Sequence, residues 1–122
     1  MVDFRLSEEQ GMIRDMARKF CDEEIIPKAE EWDKSGTYPL EAIARAHELG
    51  LLNVTIPEKY GGAGMSAVDE MIICEELSRG DPGFGTASYH TMLASFPVLT
   101  GGTEEQKKEY LGRVCSGKLA AY

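Results

Sequence analysis

Side chains able to do chemistry gather in four places. The richest is residues 86–91, where Thr86, Ser88, Tyr89, His90 and Thr91 put five hydrogen-bonding side chains into six positions of a stretch without charge. On a helix such a set lines a small-molecule cavity, or else an interface in which hydroxyls bond back to the preceding turn; the residue types favour neither. His90, within that low-charge stretch, reads as a core or interface histidine rather than a general base. Glu75 and Glu76 are adjacent carboxylates. Successive helix residues diverge by about 100° and do not face one another, so this pair reads as a solvated or bridging edge.

The third place is "IPEKYGGAGMS", with Gly61, Gly62 and Gly64 ahead of Ser66. A phosphate-cradling loop carries G-x-x-x-x-G-K-[ST], or G-x-G-x-x-G between a strand and a helix. No lysine follows here and no βαβ unit precedes, so a flexible connector is the stronger reading. The helix start at Ser66 is the only remaining anion-binding feature. Fourth are the cysteines Cys21, Cys74 and Cys115, with His47 and His90 far apart. An odd count at wide spacing suggests neither a disulfide framework nor a zinc site, and the sequence assigns no metal. Three reduced thiols used as small hydrophobes is the expectation.

The elements that must position these groups read as helices. Ser7-Glu8-Glu9-Gln10 is a capping box, followed by Ile13, Met16, Ala17 and Phe20 on one helical face. Pro27 is expected to end or kink that helix, a further turn or two runs to about residue 33, and Ser35-Gly36 stops it. Pro39 suits the start of a second helix with Leu40, Ile43, Ala44 and His47 on one face and Gly50 as a left-handed C-cap. Leu51, Leu52, Val54 and Ile56 read as an apolar extended link. Ser66 caps a third helix over 67–79. Asp69 and Glu70 in its first turn suit the helix dipole, and Met71, Ile72, Ile73 and Cys74 predict burial on most sides. A fourth helix covers 84–99, with Pro97 kinking its end. Thr103-Glu104-Glu105-Gln106 is a second capping box, opening a fifth helix with Tyr110, Leu111 and Val114 facing in. No alternating strand pattern appears. The fold class is all-α, an up-and-down-like bundle of about five helices.

Bulk properties narrow the function. The 122 residues suffice for one domain with a core of its own. A net charge of −8, with scattered basic residues, disfavours nucleic acid and anionic membrane as partners. No apolar run approaches the ~18 residues of a transmembrane helix. Residues 1–9 are charged from the third position and lack an apolar signal core, so the default location is cytoplasmic.

Taken in order, "FRLSEEQGMIRDMARKFCDEEIIPKAEEWDKSGTYP", "ELGLLNVTIPEKYGGAGMS", "EELSRGDPG" and "GTEEQKKEYLGRVCSGKLAAY" resemble the N-terminal helical domain of the acyl-CoA dehydrogenases. The likeness covers essentially the whole chain and is nearest the straight-chain, medium-chain-like members. Its most specific parts are E-E-I-I-P, L-G-L-x-x-x-x-I-P-E-x-Y-G-G-x-G and G-T-E-E-Q-K-x-x-Y-L. The resemblance implies that residues 1–122 are the first domain of a larger flavoprotein, with a middle β domain and a C-terminal helical domain outside this chain. It implies FAD as cofactor, an acyl-CoA substrate oxidised to the 2-enoyl-CoA in fatty acid metabolism, an electron-transferring flavoprotein as acceptor, and a tetramer or dimer.

The catalytic glutamate of the family lies outside this chain, so no catalytic residue is assigned and the isolated chain is expected to be inactive. "LAAY" resembles the entry to the flavin-binding segment Y-x-x-T-E-P, which makes Tyr122 the first flavin-side position. By position the family likeness assigns Thr86, Tyr89 and Leu93 to the acyl-binding cavity. Tyr89 stands where the medium-chain enzyme carries a smaller acidic side chain, implying a shorter or differently shaped acyl group. Related acyl-CoA oxidases and flavin monooxygenases share this domain, and a stand-alone helical interaction module is the alternative from a different class.

Overall fold

The computed structural model of the chain describes residues 4–121, which contain helices and turns and, among the described residues, no strand. The elements are α1 (Glu8–Phe20), α2 (Ile26–Ser35), α3 (Leu40–Glu48), α4 (Ala67–Gly80), α5 (Pro82–Gly101) and α6 (Glu104–Cys115). A π-helical turn, Cys21–Ile25, joins α1 to α2 without a break, so the path is one of five rods.

That turn is where the structure departs from the expected break at Pro27. The Ile26 N–H reaches the Cys21 carbonyl, five residues back. The wider register leaves Pro27, which has no N–H to give, in the first turn of α2, where none is needed. The rod then runs to Ser35 and stops at Gly36 in the left-handed region.

Capping follows the sequence closely. Ser7 Oγ accepts from the Gln10 N–H while Gln10 Oε1 accepts from the Ser7 N–H, each at 3.1 Å. Thr103 and Gln106 do the same at α6. Ser66 and Asp69 form a third box at α4, and Gln10 Nε2 donates to Asp69 Oδ1 at 2.9 Å, clasping two helix starts together. Those starts lie side by side because α1 and α4 run parallel. Gln10 meets Asp69, Arg18 meets Glu76 and Asp22 meets Arg79, a nearly constant offset in sequence. At the far end of this pair Gly80 lies against the π turn, so close that a Cβ there would sit 2.5 Å from Cys21 Sγ.

Asp81 turns the chain back by accepting from the Gly83 and Phe84 N–H groups, and α5 lies against α4. Two apolar clusters result. One joins Ala17, Phe20, Ile25, Ile43, Ile73, Leu77 and Phe84, with Trp32 stacked on Phe84 at 5.8 Å between centroids. The other joins Ile56, Tyr60, Met92, Leu111 and Val114 under α6.

Three local expectations change. The link from Leu51 to Ile56 is a series of bends rather than extended, with Asn53 at φ +58. It nevertheless buries Leu51, Val54 and Ile56 as anchors. The second helix turns Ala42, Ile43 and Ala46 inward, leaving Leu40 and Ala44 exposed. Of the four apolar residues at 71–74 only Ile73 is buried, and Met71 is 60% exposed. The main neighbours of α4 are α1 with the π turn on one side and α5 on the other, and a third side stays open. Helix α5 runs on through Pro97 to Gly101, and Gly50 is left-handed just past the end of α3, as expected.

Candidate functional site

The glycine connector can be judged by where its N–H groups go. Gly61 donates to Glu58 O at 2.9 Å, Gly62 to Pro57 O at 3.3 Å and Gly64 to Ile56 O at 2.9 Å. A phosphate cradle needs such donors free, and these are spent within the loop. A Cβ on Gly62 would lie 2.0 Å from the Ile56 carbonyl oxygen, so the glycine is there for close backbone approach. Tyr60 OH donates to Glu104 Oε2 at 2.9 Å and pins the loop to the start of α6. The connector is structural.

The carboxylate pair is also structural. Glu75 points to solvent, whereas Glu76 is buried between two guanidinium groups. Arg18 grips it with Nε at 3.0 Å and Nη2 at 2.6 Å, and Arg79 Nε adds a bond at 3.2 Å. The Arg18 hydrogen bonds, against some cost of burial, hold this carboxyl below the usual range. It braces α1 against α4.

Helix α5 splits the polar cluster at 86–91 between a buried face and a more exposed one. Ser88 and Thr91 are buried. Ser88 Oγ donates to Gly85 O at 2.9 Å, and the Thr91 hydroxyl accepts from the Ala120 N–H at 3.2 Å. Thr86, Tyr89 and Leu93 fall on another face, at the i, i+3 and i+7 spacing of one helical stripe. Thr86 is exposed with its hydroxyl on Pro82 O at 2.9 Å, Tyr89 is half-buried and Leu93 is 43% exposed. His90 is exposed rather than part of the core, and Phe96 is 40% exposed further along α5. The candidate lining residues thus share a face that is open to solvent. Tyr122 lies outside the described residues; the segment before it is held to α5 by Thr91.

Sequence reasoning missed what stands behind Tyr89. Glu70 is only 6% exposed, and both carboxyl oxygens lie 3.4 Å from one donor, Thr55 Oγ1. That hydroxyl is also 3.5 Å from Met92 Sδ. Burial outweighs the Thr55 contact and raises the Glu70 carboxyl above its ordinary range. One turn on, burial and then Glu70 push the Cys74 thiol up to about 11. Burial, then Glu70 and Cys74, raise the Tyr89 phenol. Glu70 looked like a dipole-complementing residue of a helix first turn. Only the docking of α5 and of the 51–56 link onto α4 removes it from water.

Grooves lie elsewhere, among them one of about 550 Å³ past Pro97, Gly102 and Tyr110 and one of about 270 Å³ between α3 and Thr91. Neither is lined by Thr86, Tyr89 or Leu93.

With that geometry in place, comparison with known proteins is specific. Residues 7–118 match the family model described as acyl-CoA dehydrogenase, N-terminal domain. A relative from Caenorhabditis briggsae, named a probable medium-chain specific acyl-CoA dehydrogenase 2, mitochondrial, is 43% identical over 120 residues, covering 98% of this chain and 29% of its own length. A glutaryl-coenzyme A dehydrogenase solved with glutaryl-CoA superposes with TM-score 0.87 at 35% identity, over 95% of this chain and 30% of that one. An acyl-CoA dehydrogenase complexed with FAD from Bacillus anthracis gives TM-score 0.87 at 34% identity, over all of this chain and 21% of that one. The chain therefore spans about three tenths or less of the length of these proteins. It belongs to the acyl-CoA dehydrogenase family, matching that family's N-terminal helical domain over nearly its whole length.

Proposed function

We propose that residues 1–122 serve as the N-terminal domain of an FAD-dependent acyl-CoA dehydrogenase, working with a β domain and a second helical domain. The observation that carries this reading is the open α5 face with Thr86, Tyr89 and Leu93. Phe96 is exposed on the same helix, and Val68 and Met71 are exposed on the neighbouring α4. Such apolar side chains on neighbouring helices suit a surface that another domain covers. Once covered, the face forms one wall of an acyl cavity and keeps water from the chain being oxidised. No residue in this chain is assigned to proton removal.

When bound, FAD would accept the hydride from the β carbon while a glutamate elsewhere takes the α proton. This chain's part in holding the flavin would be its exit segment ending at Tyr122, aligned by the bond from Ala120 to Thr91. The spent N–H groups of the glycine loop leave it no role with the cofactor's phosphates. The same reading gives an electron-transferring flavoprotein as acceptor and a tetramer or dimer. Three free thiols suit a reducing compartment, the cytoplasm in the simplest case.

The test is to read the source locus beyond codon 122 and to express the complete product. The expected result is a yellow protein whose flavin absorbance bleaches on adding an acyl-CoA under anaerobic conditions. A stop after Tyr122, or a product without flavin, refutes the dehydrogenase reading. The same exposed face would then support a helical module that docks on another protein. A full-length flavoprotein that reacts with oxygen rather than a flavoprotein acceptor would point to the oxidases or monooxygenases.

A further inference from the structure

The cavity of about 270 Å³ lies between the start of α3 and the segment that leaves α6. Leu40, Ile43 and Leu52 give it apolar surface on one side and Leu119 on the other. Ile43 is buried, but Leu40 is 56% and Leu119 is 48% exposed, so both hold apolar surface in water at its mouth. Tyr38 extends the patch, since its hydroxyl donates to Ala87 O at 3.1 Å, one residue before Ser88 of the lining. Two polar groups of the lining are already used, Ser88 on Gly85 O and Thr91 on the Ala120 N–H. His47 and Asn53 are half-buried, Lys118 is exposed, and among the described residues no carboxylate lines the cavity. A dry cavity of about 150 Å³ holds benzene, so this one has room for a large aliphatic or aromatic side chain.

The path of the chain says what covers it. Gly117, Lys118 and Leu119 form part of the lining and Ala120 is tied to Thr91, so the chain leaves α6 along the rim. A following segment gains at most about 3.6 Å per residue and starts beside the mouth. Its docking is intramolecular, at an effective concentration of about millimolar, which favours it over a separate partner or a second copy. We propose that the patch of Tyr38, Leu40 and Leu119 is the seat of the domain that follows Tyr122, one of whose large apolar side chains fills the cavity. The proposal rests on reading residues 1–122 as the first domain of a longer chain. The seat is separate from the acyl wall, because Ser88 and Thr91 lie on the buried face of α5 and Thr86 and Leu93 on the exposed one.

The experiment uses the complete protein that carries this domain, with photoreactive p-benzoylphenylalanine in place of Leu40. Irradiation and peptide mass spectrometry identify what that ring touches. The expected product is an intramolecular cross-link to the domain directly after Tyr122. A cross-link to a second copy, to the C-terminal helical domain or within residues 1–122 overturns the proposal, as does none at all. Should that variant misfold, alkylation of Leu119→Cys decides alone. It is expected to be at least about tenfold slower in the native protein than in urea, and a smaller ratio overturns the proposal. A folded continuation without flavin would refute the dehydrogenase reading and leave the seat to be judged by its cross-link. A stop directly after Tyr122 overturns both.

Discussion

Replacing Gly80 by alanine should destabilise the chain, although alanine is the better helix former. Gly80 is the last residue of α4, where the helix closes onto the π turn. The new Cβ would lie 2.5 Å from Cys21 Sγ and 3.1 Å from both Ile25 Cγ2 and Ile26 Cγ1. The sulfur contact is about 1 Å or more inside the optimum of roughly 3.5–4.0 Å. Cys21 and Ile25 are fully buried, so neither can swing into solvent. Overpacking of this kind costs about 1–3 kcal/mol, and the tight sulfur contact places Gly80→Ala at the top of that range. The gain in helix propensity returns at most about 1 kcal/mol. The net is a loss of about 2 kcal/mol. At roughly 3–6 °C per kcal/mol for a chain of this size, the melting temperature should fall by roughly 6–12 °C.

Urea unfolding followed by circular dichroism measures the loss directly. A cycle with Cys21→Ala identifies its cause. Removing Sγ opens space for the methyl introduced by Gly80→Ala, so the double variant should recover about 1 kcal/mol or more relative to the sum of the single losses. A Gly80→Ala chain as stable as the parent, or two changes additive within about 0.5 kcal/mol, would refute the account of how α4 docks on the π turn.

Further outcomes follow from the same geometry. Glu70 has a folded-state pKa above its unfolded value, so the native state holds its proton more tightly and the group's contribution worsens as pH rises from about 4.5 toward the folded pKa. Glu70→Gln should therefore flatten the fall in melting temperature between pH 5 and pH 8; an identical slope in the variant would assign it to other groups. Asp69, Glu76 and Glu104 are depressed, by hydrogen bonds led by those from Gln10, Arg18 and Tyr60 respectively. Their stabilisation is present above the unfolded carboxylate range and lost as pH falls below about 4, which acid titration of Glu76→Gln should reduce. Gly62→Ala should cost more than Gly80→Ala, because the methyl meets a backbone carbonyl at 2.0 Å rather than side chains; a variant melting within 3 °C of the parent, far inside roughly 3–6 °C per kcal/mol, would refute the close-approach role. In the complete enzyme, Tyr89→Ala should improve turnover of longer acyl-CoAs, and an unaltered chain-length profile would remove Tyr89 from the cavity wall.

Much of this protein was legible as a string of letters. Ser7 to Gln10 and Thr103 to Gln106 carry their capping geometry within four residues, so no distant contact is needed to form it. The stops at Gly36 and Gly50 are local as well, set by a conformation that glycine adopts without strain. Family membership was legible for the same reason: order and spacing of short motifs survive without knowledge of packing.

What the tertiary structure alone decided lies between elements. The apolar run at 71–74 has no direction until α1 and α5 choose two sides of α4. Pro27 sits within a continuous rod because the π turn fits against Gly80, a residue of another helix. Thr86 and Thr91 are alike in sequence, yet one is exposed and the other ties down the exit segment, because α5 has a single register on its neighbours. Glu70 shows the limit most plainly. Its place in a first turn is a local fact, but its removal from water depends on Thr55, Tyr89 and Met92, which lie 15 to 22 residues from it in sequence. Ionisation follows solvation, and solvation is fixed only when distant segments close over a group.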